Sequence, residues 1–197
     1  MDTDIIDDDI QHESLEEKVE AKALKKRLLS IRISAMNILA GREHSIAEMR
    51  QKLQRKLNRR ETNTESDLGK SDLDKPELDK PERIAEQIEV VLAQLLAEKL
   101  LDEARFTEAF IRSRINKGSG PIKIRHELKN RGIAGEMVDD YMENAYDFWQ
   151  AHIKAARNKR FGKQLPKDYK EQSKQSRFLY QRGFSGELIQ RLFADKY

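Results

Sequence analysis

The chain has 197 residues and a formal net charge of +3, with 37% charged but only 7% aromatic residues. It contains no cysteine, which excludes disulfides, thiolate metal sites and cysteine nucleophiles. With so little apolar bulk for one large core, several small helical cores are favoured. No apolar run reaches the length of a membrane span, and the acidic N-terminus lacks the order of a signal peptide. We therefore expect a cytoplasmic protein without a membrane segment.

The charges are divided unevenly along the chain. Residues 1–20 hold nine acids and one lysine, whereas residues 154–182 hold ten bases and two acids. This pattern predicts an acidic, disordered tail at residues 1–13 and a basic body that meets nucleic acid or an acidic protein surface.

The first part of the chain predicts two helices and an insertion. Ser14 and Glu17 have the spacing of a capping box at the start of a helix, and Ser45 and Glu48 repeat it. Residues 58–80 predict a flexible insertion, because their prolines bar a continuous helix and their polar residues build no core.

The middle of the chain predicts two helices around a glycine-rich corner. Gly118 suits the left-handed conformation that ends a helix, Gly120 suits an N-cap, and Pro121 suits the first helical position. Gly132 is expected to end the second helix. In the first of these helices, the spacing of apolar and small residues predicts one buried stripe. The stripe consists of Phe106, Ala109, Phe110 and Ser113.

Further helices are predicted around Met137 and Trp149, from Pro166 to Arg182, and after Ser185. No strand pattern is present, so the predicted class is all-α with about nine helices.

An internal repeat suggests how these helices are grouped. Arg131-Gly132 and Arg182-Gly183 stand 51 residues apart, and each is followed by a Gly-Glu pair at the same distance. We predict three tandem three-helix units, resembling helix-turn-helix motifs, in an elongated, curved molecule whose small units lean on one another. The predicted boundaries are 1–30 for the acidic tail and an N-terminal helix extension, 31–100 for the first repeat with its insertion, 101–146 for the second repeat and 147–197 for the third.

The two middle helices carry many bases and few acids. Between residues 112 and 131 the acid is Glu127, and arginine, which suits planar recognition of carboxylates and phosphates, outnumbers lysine. We predict that these bases contact a partner or DNA. They are Arg112, Arg114, Lys117, Lys123, Arg125, Lys129 and Arg131.

Catalytic patterns are absent from the sequence. The four histidines have no metal-ligand spacing, and residues 118–121 do not form a phosphate loop. We expect no catalytic residues, no metal site, no cofactor and no enzymatic activity. Two binding hypotheses stay open. One is a helix-turn-helix DNA-binding protein with residues 121–131 as its recognition helix. The other is a basic helical surface that docks on a larger protein–nucleic-acid assembly.

The stretch Arg105–Ile133, RFTEAFIRSRINKGSGPIKIRHELKNRGI, resembles the signature of the RecX family, regulators of the RecA recombinase. Residues 35–53, AMNILAGREHSIAEMRQKL, resemble the first helical unit of that family, so the resemblance covers roughly residues 31–194. It implies three tandem three-helix repeats and a role in DNA repair, homologous recombination and the SOS response. It also implies binding in the groove of the RecA–single-stranded DNA filament, which suppresses ATP hydrolysis, strand exchange and filament growth. The sequence contains no heptad pattern that would predict a coiled-coil dimer, so we expect a monomer.

Overall fold

The structure is a computed structural model that describes residues 15–65, 80–142 and 146–194. Within those ranges every regular element is an α-helix, which confirms the predicted all-α class. None of the described helices is both long and apolar enough to cross a lipid bilayer. The helices are α1 (Leu15–Leu39), α2 (Ile46–Glu65), α3 (Pro81–Ala97), α4 (Glu103–Asn116), α5 (Pro121–Lys129), α6 (Gly135–Met142), α7 (Tyr146–Phe161), α8 (Tyr169–Gln181) and α9 (Gly186–Ala194).

The helices pack in groups of three that follow the chain. The most extensive contacts lie within α1–α3, within α4–α6 and within α7–α9, and we call these groups unit 1, unit 2 and unit 3. Unit 1 has its own core, which includes Ile31 and Leu53, whereas units 2 and 3 share one continuous apolar cluster that includes Ile124 and Leu179. Each such buried side chain contributes about 1.5–3 kcal/mol. Units 2 and 3 therefore depend on each other for burial of their apolar faces.

The buried face of α4 differs from the predicted stripe. Phe106 is buried as expected, but Ala109 and Ser113 are exposed, and Thr107 and Ile111 are buried instead. Successive residues of a helix are turned by about 100°, so the buried face has rotated by roughly one residue. The rotation brings the larger apolar side chain of Ile111 into the core.

Helix α8 begins later than predicted. Pro166 lies in the connection before the helix, and the N-cap is Asp168, whose carboxylate accepts a hydrogen bond from the backbone N–H of Glu171 at 2.7 Å. The carboxylate of Glu171 in turn accepts from the N–H of Lys167 at 2.9 Å. This reciprocal capping places the start of the helix at Tyr169.

The start and end of α2 also differ from expectation. Ser45 caps the helix by accepting from the N–H of Glu48 at 3.1 Å, but the Glu48 carboxylate binds neighbouring bases instead of completing the box. The helix continues to Glu65, beyond residue 58 where the insertion was predicted to begin. Pro81 is the first residue of α3. The acidic tail, the Ser14 cap and residues 66–79 lie outside the described residues.

Candidate nucleic-acid and partner interface

Two of the candidate arginines are exposed and paired with nearby acids. Arg112 forms an ion pair with Glu108, one turn earlier on α4, and Arg125 forms one with Asp139 of α6. Such exposed pairs contribute little to stability because water and salt screen them. They nevertheless neutralise the positive charges of Arg112 and Arg125, which the sequence pattern predicted to be free of acidic partners.

Two further arginines flank one aromatic ring. The guanidinium carbons of Arg114 and Arg131 lie 4.7 and 4.6 Å from the centre of the Phe110 ring. Arg114 Nε is 2.6 Å from a Glu127 carboxylate oxygen, although its N–H is not aimed at that oxygen. Arg131 Nε is 3.0 Å from a Glu48 oxygen, and its Nη1 donates to the Glu127 backbone carbonyl at 2.7 Å. Both side chains are three-quarters buried in this arrangement.

The candidate lysines have different surroundings. Lys117, Lys123 and Lys129 are all exposed, and none has an acidic partner among residues 15–65, 80–142 and 146–194. The unneutralised charge of the predicted interface is therefore carried by these three lysines.

The corner between α4 and α5 docks on unit 3. The N–H of Gly120 donates to the carbonyl oxygen of Arg182 at 2.7 Å, and the N–H of Ile122 donates to that of Gly183 at 3.0 Å. The Arg182 side chain reaches back and donates to the backbone carbonyl of Lys117 at 2.8 Å. The first N–H groups and the last carbonyls of a helix lack partners within the helix. Here the start of α5 and the end of α8 supply partners to each other.

Glycine is required at this contact. A Cβ atom on Gly120 would lie 2.4 Å from the Gly183 carbonyl carbon, and one on Gly183 would lie 2.5 Å from the Lys123 nitrogen. Gly183 also has φ +85°, in the left-handed region. Gly118 has φ +76°, and Pro121 is the first residue of α5, so both occupy the predicted corner positions.

An equivalent contact joins units 1 and 2. The hydroxyl of Ser45, at the start of α2, donates to the carbonyl of Arg131 at 2.8 Å. Gly132 has φ +77°, and a Cβ atom there would lie 3.0 Å from the Cβ of Ala47. In units 2 and 3, the repeated Arg-Gly pair is therefore the segment that contacts the start of the second helix of the preceding unit.

A cluster of charged side chains surrounds the contact between units 1 and 2. The buried ring of His44 places Nδ1 3.0 Å from a Glu48 oxygen and Nε2 3.5 Å from Lys52 Nζ. Arg42 is 3.3 Å from the same Glu48 oxygen. These partners fit a neutral ring that donates from Nδ1 and accepts at Nε2. Desolvation, opposed by the hydrogen bond to Glu48 and aided by the positive charges of Arg42 and Lys52, lowers the pKa of His44.

The contact between units 2 and 3 opens into a basic groove of about 230 Å³, which we call the junction groove. Of the predicted contact bases, Lys117 lines this groove, and the predicted corner residue Gly118 lies beside it. The other bases of the groove lie outside the predicted set, although the excess of bases in residues 154–182 was a signal for them. They are Lys159, Arg160 and Arg182.

Comparison with known proteins identifies the chain. Two family models, described as the second and third three-helix domains of RecX, match residues 102–142 and 139–193. The regulatory protein RecX of Halorhodospira halophila (strain DSM 244 / SL1) is 35% identical over 160 residues, which are 81% of this chain and 84% of that protein. The chain belongs to the RecX family.

Other members support the same assignment. The regulatory protein RecX of Pseudomonas fluorescens (strain SBW25) is 36% identical over 169 residues, covering 86% of this chain and 93% of the relative. A crystal structure of a regulatory protein RecX gives a TM-score of 0.66 at 20% identity, covering 92% of this chain and 79% of that one. RecX from Lactobacillus salivarius gives 0.61 at 18% identity, with 87% and 97% covered. These two structures agree with the fold, and the relatives confirm the resemblance noted in the sequence.

The family models fall on units 2 and 3 of the structure. The model of the second RecX domain spans α4 to α6, and the model of the third spans α7 to α9. Both Arg-Gly docking segments of this RecX family member lie inside the matched residues.

We predict that Gly183→Ala destabilises the protein by about 3 kcal/mol, because the added methyl group overlaps the α5 backbone and the left-handed φ adds strain. The thermal midpoint should fall by about 6–12 °C. Gly135→Ala is the matched control, since a Cβ atom there meets nothing within 4 Å. Equal midpoints for the two variants would contradict the close-contact account.

We predict that His44 makes stability depend on pH. Its pKa is lowered in the folded state from the ordinary value of about 6.5, so the unfolded chain binds the proton first as the pH falls. The stability from the neutral ring is present above about pH 6.5 and is lost as the pH drops through the folded pKa. Urea melts from pH 7 to 5 should show a smaller loss for His44→Gln than for wild type. The exposed His126→Gln is the control, and an unchanged pH dependence in His44→Gln would refute this role.

Proposed function

We propose that the chain is a non-enzymatic modulator of RecA. It binds in the groove of the RecA–single-stranded DNA filament and inhibits ATP hydrolysis, strand exchange and filament extension. Membership of the RecX family over most of the chain is the observation that carries this proposal. Cytoplasmic location and a role in DNA repair follow from it.

The distribution of charge supports a partner of this kind. Lys117, Lys123 and Lys129 are exposed and lack acidic partners within the described part of the chain, and the junction groove adds further bases. Cations on two consecutive units suit an anionic partner that itself repeats, such as a nucleoprotein filament. Arg112, Arg114, Arg125 and Arg131 remain proposed contacts, but each must exchange an acidic partner in the free protein for one in the complex.

A helix-turn-helix protein that acts without RecA is the alternative. In that motif the N-terminal residues of the recognition helix enter the major groove. Here the start of α5 is engaged by the α8–α9 corner, through the backbone N–H groups of Gly120 and Ile122. This arrangement favours the filament proposal over base readout by α5.

We predict that adding the protein to preformed RecA–single-stranded DNA filaments lowers the rate of DNA-dependent ATP hydrolysis. The measurement is a coupled ATPase titration at fixed filament concentration. Unchanged turnover at a large excess of the protein would reject the proposal.

We predict that Lys117→Glu, Lys123→Glu and Lys129→Glu together raise the concentration needed for half-inhibition by about tenfold or more, because three attractive contacts become repulsive. The control reverses Lys22, Lys25 and Lys26, which are exposed on α1 and carry the same total charge. Circular dichroism checks that both variants keep their helices. Equal effects of the two triple variants would mean that net charge, and not this surface, sets the affinity.

The alternative makes a different prediction for DNA alone. A helix-turn-helix reader gives a sequence-specific footprint that survives moderate salt, whereas a filament ligand binds DNA fragments weakly and without sequence preference. A specific footprint in the absence of RecA would favour the alternative.

A further inference from the structure

The repeat register assigns counterparts of the unit 2 docking residues to α8. Units 2 and 3 join through Gly120, the N-cap of α5, and through Ile122 and Lys123 in its first turn. The residues 51 positions later, Glu171, Ser173 and Lys174, lie in the first turns of α8. Glu171 and Lys174 are exposed and Ser173 is half-buried, so this face of α8 is open in the described structure.

The equivalence of α5 and α8 rests on matching geometry at their ends. Leu128 and Leu179 are both fully buried, and each carbonyl accepts the N–H five residues later, from Ile133 and Phe184, at 3.2 Å. The two helices therefore end in the same glycine-closed turn. Their beginnings differ, since α8 has an additional turn that carries its own cap, Asp168.

The open face of α8 forms the wall of a broad groove of about 740 Å³, which we call the α8 groove. Lys170, Lys174 and Arg177 line it at spacings of four and three residues, so they form one stripe along the helix. Arg160 of α7 faces them across the groove, and the lining acid, Glu171, is already engaged in capping.

Like charges at such spacings destabilise an isolated helix. None of the three bases on this stripe has an acidic partner within the described ranges. A bound polyanion would relieve this repulsion, which makes an extended anionic ligand the best match for the stripe.

Aromatic side chains distinguish a nucleic acid from an acidic peptide. Tyr169 is 84% exposed at the head of the groove, and Phe161 and Phe178 form an edge-to-face pair in its lining, with ring centres 5.3 Å apart. Exposed aromatic rings beside a basic track are the usual means of binding unpaired bases without sequence preference. Bases in a duplex are stacked on one another and do not offer their faces.

Hydrogen bonds from a buried arginine of α7 stabilise the shape of the α8 groove. The buried guanidinium of Arg157 donates to Gln175 Oε1 of α8 at 2.8 Å, and it also donates to the backbone carbonyl of Gln164 in the α7–α8 connection. These bonds fix α8 relative to α7, so the cationic stripe is positioned before any ligand binds.

We propose that the α8 groove of unit 3 is a direct binding site for single-stranded nucleic acid, which requires no RecA. The nucleic-acid partner is taken from the proposed function, and the site extends toward the junction groove, with which it shares Arg160 and Phe178. The backbone phosphates lie along the stripe from Lys170 to Arg177, and one base stacks on Tyr169.

The test is binding of a fluorescein-labelled oligo(dT) to the full chain without RecA, followed by anisotropy over a range of salt concentrations. Lys170→Glu, Lys174→Glu and Arg177→Glu together should weaken binding about tenfold or more and lower the salt dependence by about 0.7 per lost phosphate contact. The variant Lys22→Glu, Lys25→Glu and Lys26→Glu has the same total charge and should retain most of the affinity. Equal losses in the two variants would overturn the site.

A second set of variants tests the stacking without changing charge. Tyr169→Ala should weaken binding about tenfold, and Tyr169→Phe should bind like wild type, because the ring and not the hydroxyl is used. Thermal melts within a few degrees of wild type show that the variants are folded. Unchanged affinity in Tyr169→Ala would exclude base stacking at this position.

Crosslinking gives a readout that does not depend on variants. Light-induced crosslinks from an iodouracil-containing strand should map to residues 169–181, and crosslinks confined to α1 or α2 would overturn the proposal. A poly-glutamate peptide of equal charge should compete poorly, and competition equal to that of oligo(dT) would reassign the groove to an acidic protein segment. The RecA ATPase titration is a separate measurement, so failure of the proposed function is distinguishable from failure of this site.

Discussion

The architecture depends on how the ends of its helices find hydrogen-bond partners. Every helix leaves unpaired N–H groups at its start and unpaired carbonyls at its end, and burying them without partners is costly. At the junction of units 2 and 3, the start of α5 meets the end of α8, so Gly120 and Ile122 donate to Arg182 and Gly183. The partial charges of the two helix ends are also opposite. A related contact joins units 1 and 2, where the side-chain hydroxyl of Ser45 at the start of α2 donates to the carbonyl oxygen of Arg131.

This arrangement divides the basic residues into two kinds. Arg131 and Arg182 secure the junctions, since one pairs with Glu48 across units and the other donates to the Lys117 carbonyl. Lys117, Lys123 and Lys129 are exposed and have no acidic partner within the described residues. The guanidinium group suits contacts between units because it can stack on an aromatic ring and donate several hydrogen bonds, whereas a lysine side chain carries a compact charge on a flexible stem. The junctions therefore rely on arginine, whereas the surface charge comes from exposed lysines together with exposed arginines such as Arg177.

Much of the fold could be predicted from short-range chemistry. Gly118 and Gly132 end helices with positive φ as expected, because only glycine adopts that conformation at low cost, and Gly183 does the same at the repeated position. Asp102 caps α4 by accepting a hydrogen bond from the Arg105 N–H, a local contact between residues only three apart in the sequence. The 51-residue repeat was visible because units 2 and 3 dock on the preceding unit through the same Arg-Gly pair.

The predictions that the structure corrected concern contacts between residues that are distant in the sequence. The apparent lack of acids near Arg125 and Arg131 was misleading, since Asp139 and Glu48 come from other helices. The buried face of α4 was misjudged because Ile111 belongs to the apolar cluster that units 2 and 3 share, and the sequence of α4 alone does not show that cluster. The α8 groove gave no motif at all, because its aromatic and basic residues are brought together by the packing of α7 against α8.

Lysine footprinting on the RecA–single-stranded DNA filament would test the central claim most directly. Exposed lysines are acetylated with and without filament, and the modification of each is measured by mass spectrometry. The account predicts that Lys117, Lys123 and Lys129 are protected in the complex, while Lys22 and Lys26 on α1 react as in the free protein. Protection of the α1 lysines with unchanged reactivity at the other three would contradict it.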